Sequence, residues 1–243
     1  MLGNNKVATY LLYAIGEIFL VVIGILIAVQ IDNWNEAQKE KENLKEYLVA
    51  LKAEFNDNHK RLEQVRKINQ NNIQSAKKLS ALMGADTTEI SIQDLRMLVV
   101  GVVNNEVQYR PSTGVVDETI NSGKLKLFGN DSLRYLLAGW SSDLTKIQFQ
   151  EDEEVKKYRV QIMDFIAEKM NFKAAAYQYQ NNIFGLTPSR LKMNDYEMLQ
   201  SIYMDNMIIS FISGSSYLEQ RYAALEKKIT RIIQKIDKIQ NQL

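Results

Sequence analysis

One acidic side chain stands inside a long apolar run. Glu17 interrupts YLLYAIGEIFLVVIGILIAVQI, Tyr10 to Ile31, which holds no other charge. Ionised carboxylates are costly in hydrocarbon, so this one should face protein or water. It can line a small pore as an ion or proton site, or it can hydrogen-bond between helices and lock an assembly. No second acid or base accompanies it, so the locking role is the main expectation. A homo-oligomeric ion channel with Glu17 in the pore is the alternative. Gly24 follows Glu17 by seven residues and Ala28 follows Gly24 by four, so the three fall near one stripe of a helix. Gly24-x-x-x-Ala28 is a pair of small residues of the kind that lets helix backbones approach closely. The stripe therefore predicts helix–helix association, most simply with copies of the same chain.

Elsewhere the supply of chemistry-bearing residues is thin. His59 is the single histidine and is expected at a surface or seam position rather than as a metal ligand or base. There is no cysteine, which removes disulfides, thiolate nucleophiles and cysteine zinc sites. Acid pairs such as Asp117-Glu118 and Glu153-Glu154 are common on helices. No phosphate-binding loop, dinucleotide fingerprint, nucleophile elbow or zinc motif occurs. The chain is thus expected to have no catalytic, cofactor-binding or metal-ligating residues and to be no enzyme. A net charge of +1 gives no reason to expect a nucleic-acid partner.

The elements that position Glu17 are helical. Twenty-two residues at about 1.5 Å each span roughly 33 Å, the thickness of a bilayer core. Tyr10 and Tyr13 at one end and Trp34 at the other suit the two interfaces. A cleaved signal is disfavoured, because Ala28-Val29-Gln30 makes a poor cleavage site and a charge inside the apolar region is out of place. The expected organisation is a short tail (1–9), a single-pass transmembrane helix (10–31) and a helical soluble domain (32–243). The fold class is all-α: the membrane helix continues into an elongated bundle of long, coiled-coil-like helices. Counting basic residues alone would put the body in the cytoplasm, yet long domains translocate largely regardless of charge, and the N-terminal tail is short enough to stay inside; the residues alone leave both orientations open.

Long helices are predicted over about 33–83, 131–170 and 195–242. In the first, Leu44, Leu48, Leu51, Phe55, Leu62 and Val65 recur at steps of three and four, with Asn58 and Asn69 in the intervening seam positions. Ser91 followed by Asp94 predicts a capped helix start, Arg110 to Thr113 a turn before a short helix, and Asn130 another helix start. Leu133, Leu137, Trp140, Leu144 and Ile147 then share a face. The pattern pauses at Glu151 to Glu154, read as solvated, and resumes at Val155. The last segment is the clearest: Leu218, Tyr222, Leu225, Ile229, Ile232, Ile236, Ile239 and Leu243 step by four and three alternately, a heptad seam. Gly214 is a candidate kink. The first and last helices should pack antiparallel, returning the C-terminus toward the membrane. Between them, residues 171–194 show no period. Tyr177, Tyr179 and Phe184 there suggest either a partner-binding tip or a connector whose aromatics cover the end of the bundle.

Two stretches carry a resemblance. YAIGEIFLVVIGILIAVQIDNWNE, Tyr13 to Glu36, resembles the N-terminal signature of a large family of uncharacterised single-pass inner-membrane proteins of Gram-negative bacteria, labelled a domain of unknown function. PSTGVVDETINSGKLKLFGNDSLRYLLAGW, Pro111 to Trp140, resembles that family's central motif. The resemblance implies an anchor in a bacterial inner membrane and a helical body, with that body expected on the periplasmic side, and no activity. The functional expectation is an oligomeric, membrane-anchored helical scaffold or sensor. Its partners are the lipid bilayer, copies of itself and, as a weaker alternative, other envelope proteins.

Overall fold

The computed structural model describes residues 4–86 and 90–243, with side-chain surroundings from Tyr10 onward. The first three residues of the expected tail lie outside the described residues, as does the side chain of Lys6. The elements, in chain order, are α1 (Asn4–Ser80), α2 (Ile92–Val103), α3 (Gly114–Asn121), α4 (Asp131–Ala138), α5 (Trp140–Gln150), α6 (Lys157–Lys169), α7 (Phe172–Gln178) and α8 (Ile202–Gln240). A π-helical segment, Glu151–Lys156, joins α5 to α6, and short 3-10 turns occupy Lys124–Phe128, Tyr179–Asn181 and Asp195–Gln200. No strand occurs among the described residues.

α1 runs unbroken for 77 residues, about 115 Å at the α-helical rise. Its character changes along its length. From Tyr10 to Asn43 every residue is exposed, and Leu44 is the first buried one. From there Leu44, Leu48, Leu51, Phe55, Asn58, Leu62, Val65, Asn69, Asn72, Ala76 and Leu79 are all buried. They step by four and three without a slip, so one seam faces a partner helix throughout. That partner is α8, whose own seam from Leu218 to Ile239 is buried. Lys52 pairs with Asp237 at 2.6 Å and Arg66 with Glu219 at 2.7 Å. Rising numbers on α1 meet falling numbers on α8, which fixes the antiparallel sense.

Seam asparagines set the register. Asn69 Nδ2 donates to the Ser215 carbonyl at 3.0 Å and Asn72 Nδ2 to the Asn105 carbonyl at 3.0 Å. Asn58 grips the 110–113 turn from both sides: its Nδ2 donates to the Ser112 carbonyl, and the Ser112 N–H donates to its Oδ1, each at 2.7 Å. A buried amide left unpaired costs about 1–3 kcal/mol, so a slipped register would be penalised at each of these positions.

The remaining helices wrap this pair. Ser91 caps α2 as expected, its Oγ accepting from the Asp94 N–H at 3.1 Å and donating to Asp94 Oδ2 at 2.7 Å. The VVGVV run is helical despite its β-branched residues. Gly101 lets α2 press against α1, since a Cβ there would lie 2.5 Å from Ser75 Oγ. Around residues 131–170 the helix is interrupted at Gly139 and loosened into a π-turn at Glu151–Lys156. The expectation of a solvated break at Glu151 to Glu154 is corrected here. The chain stays helical, and Glu151 is 1% exposed. Buried Ile147, Glu151 and Val155 are spaced four and four, a step that a π-turn's wider pitch keeps in phase. Gly214 does not kink α8. It is a contact point where a Cβ would sit 3.1 Å from the Glu154 carbonyl oxygen, so it admits the π-segment's backbone.

Candidate functional site

Three regions hold the residues that sequence reasoning singled out. Glu17, Gly24 and Ala28 lie on the exposed part of α1. At about 100° per residue they fall within roughly 20° of one line along the helix. Beyond the local backbone of α1 itself, nothing lies within 4 Å of where a Gly24 Cβ would be. The groove beside Leu12, Tyr13, Gly16, Glu17 and Leu20 is the surface of a single helix and encloses nothing. This stretch of α1 is the one helical segment among the described residues long and apolar enough to cross a membrane.

Tyr177, Tyr179 and Phe184 lie at the opposite end of the body, where α7 meets α2. The segment is built rather than loose. Asn171 Oδ1 accepts from the Ala174 N–H at 3.1 Å to start α7, and its Nδ2 donates to the Leu191 carbonyl at 2.7 Å. Gln180, Asn181 and Asn182 all take positive φ, a strained run for non-glycine residues. Asn182 offsets part of that strain by bonding both the N–H and the carbonyl of Leu186. Tyr179 is half-buried, accepts from Asn104 Nδ2 at 2.8 Å and stacks on Phe184 with ring centres 6.4 Å apart. Phe184 is 58% exposed. The structure therefore brings Tyr179 and Phe184 together and leaves Tyr177 beside them. Asp195, fully buried, anchors the region by accepting from Arg96 Nε at 2.7 Å and from the Asn171 N–H at 3.0 Å.

Besides Asp195, two further buried carboxylates escaped sequence reasoning. Glu54, on α1, accepts from the Val115 N–H at 2.8 Å and the Val116 N–H at 3.2 Å. It thereby caps α3 from another helix, where Thr113 makes no side-chain cap and the positive helix end favours an anion. Glu151 Oε1 accepts from Tyr222 Oη at 2.5 Å and from the Tyr109 N–H at 2.9 Å. Tyr109 Oη in turn donates to the Asn58 carbonyl at 3.1 Å. A buried polar chain thus crosses the core from α1 through the π-segment to α8. Burial pushes the Glu151 carboxyl above its ordinary range, and the bonds from Tyr222 and Tyr109 and the charge of Arg110 only partly offset this. Burial likewise raises both tyrosines, so they remain neutral donors.

The sign of the pH effect follows. The folded state holds the Glu151 proton more tightly than the unfolded chain, so its share of stability is complete below about pH 4.5. That share is lost as pH rises through the folded-state value. Unfolding measured by denaturant from pH 4 to 9 should show Glu151→Gln with a flatter decline than wild type, and more stable than it at high pH. Parallel profiles would mean that Glu151 does not titrate in this range.

His59 lies in the groove between α1 and α8. Its Nδ1 is 3.7 Å from Glu63 Oε1 and its Nε2 3.7 Å from Glu226 Oε1. Sequence reasoning found no ligand four residues from His59, and Glu63 at that spacing corrects it; Glu226 was out of reach of the sequence, since only the antiparallel register brings it there.

A model of a family of unknown function (DUF6090) matches residues 17–141, just over half of the chain. The match begins at Glu17, inside the first resembling stretch, and ends one residue after Trp140, where the second stretch closes. No curated protein and no solved structure matches the chain.

Proposed function

We propose, from the premise that this chain belongs to that family of unknown function, that it is a non-enzymatic, membrane-anchored helical scaffold or sensor that assembles with copies of itself. The carrying observation is α1. Its apolar stretch has no burying partner, and the same unbroken helix becomes the central strut of the body. A hydrophobic surface of this length on one helix has its natural solvent in a bilayer. The lipid is that of a bacterial inner membrane, with the body on the periplasmic side. The stalk from Asp32 to Asn43, about 18 Å of helix, holds the body clear of the headgroups. The Glu17–Gly24–Ala28 stripe is the self-association face, and the tip at Tyr177, Tyr179 and Phe184 is the partner-binding end.

The deciding experiment is the mass of the detergent-solubilised protein by native mass spectrometry, wild type beside Glu17→Leu. A discrete homo-oligomer that weakens in the variant supports the scaffold reading. Unaltered assembly in Glu17→Leu removes Glu17 from the interface. Four or more chains, with a conductance in bilayers that Glu17→Gln changes while assembly persists, would favour the channel instead. A plain monomer that co-purifies with unrelated envelope subunits would overturn self-assembly.

A further inference from the structure

His59 makes no hydrogen bond within reach. The 3.7 Å gaps from its two ring nitrogens to Glu63 and Glu226 are too long for one. A bound ion takes only one of those ring nitrogens, and donors held about 2.0–2.1 Å from a tetrahedral centre lie roughly 3.3 Å apart. One donor atom from each of His59, Glu63 and Glu226 falls within 4.8 Å of the others, so rotation of the partly exposed side chains brings the three to that spacing. We propose that His59, Glu63 and Glu226 bind one divalent transition-metal ion of the zinc class, which staples α1 to α8 across the middle of the body.

The chemistry fits. One imidazole and two carboxylates form a nitrogen–oxygen donor set that suits zinc or a neighbouring first-row ion. Two carboxylate charges and a neutral ring balance the dication. His59 and Glu63 sit at i and i+4 on one helix face, and Glu226 arrives from the facing helix. Glu226 is also oriented from behind: its Oε2 accepts from Arg66 Nη1, and Arg66 Nη2 is held at 2.7 Å by Glu219 Oε1. This leaves Oε1 turned toward His59, the kind of outer support that metal-binding carboxylates use. The cleft beside Thr230, Lys227 and Arg231 is open to solvent, so water can fill the remaining coordination position. The two cations at its rim oppose the ion and predict modest rather than extreme affinity.

The test is titration of Zn2+ into the chelator-treated, detergent-solubilised full chain, carrying no affinity histidines, by calorimetry and by thermal unfolding. The expected result is one ion per chain at micromolar or tighter affinity, with a raised Tm because the ion binds only the folded arrangement. His59→Gln and Glu226→Gln should each weaken binding tenfold or more and abolish the Tm gain. Glu63→Gln, at a largely exposed side chain that cannot unfold the body, should weaken it too. Absence of saturable Zn2+ binding overturns the proposal. So does binding that all three variants leave unchanged, which would place the ion elsewhere.

Discussion

Replacing Trp140 by alanine should destabilise the body by about 3–5 kcal/mol, the range for deleting a large buried aromatic side chain. Trp140 is 1% exposed and meets Phe55 of α1 edge-to-face with ring centres 5.0 Å apart. Its indole N–H is buried without a partner, so packing is what the substitution removes. Trp140→Phe should therefore lose much less, since it keeps an aromatic ring against Phe55 and sacrifices no hydrogen bond. Phe55→Ala combined with Trp140→Ala should cost less than the two singles added, because the pair shares one contact. Denaturant unfolding of the four variants beside wild type checks this. Equal losses for Trp140→Ala and Trp140→Phe would show that the ring contact is not what holds the α5 start against α1.

The second large effect concerns location. A chain lacking residues 1–31 should move entirely from the membrane pellet to the soluble fraction and keep the fold of its body. The reason lies in where burial begins. No described residue from Tyr10 to Asn43 is buried, and the α1 seam starts at Leu44. Among the described residues excision therefore removes no core contact, and the stability of the body should stay within about 0.5 kcal/mol, as for changes remote from packing. Continued sedimentation with membranes after alkaline carbonate washing would mean that the body carries an attachment of its own. A collapsed helical signal would mean that the body depends on the anchor.

The pattern of residue types determined a good deal by itself. An all-α fold, the apolar helix from Tyr10 to Ile31 and the two seams on α1 and α8 all follow from periodicity, because a helix buries one stripe and that stripe repeats along the chain. The Ser91 and Asn130 starts were equally legible, since a cap is a local bond between a side chain and a backbone N–H three residues on. What tertiary structure alone decided are the contacts between residues far apart in sequence. Four acids in a row look solvated, and nothing local says that Glu151 turns inward; Tyr109 and Tyr222 make that possible, 42 and 71 residues away. Gly214 looks like a hinge until the Glu154 backbone is seen against it. Glu54 reaches across to cap α3, 61 residues on, and His59 acquires Glu226 only once the antiparallel register is set. Periodicity reports which face of a helix is buried, because that depends on solvent alone. Which polar group is buried with it depends on the partner that satisfies it, and the partner is supplied by the fold.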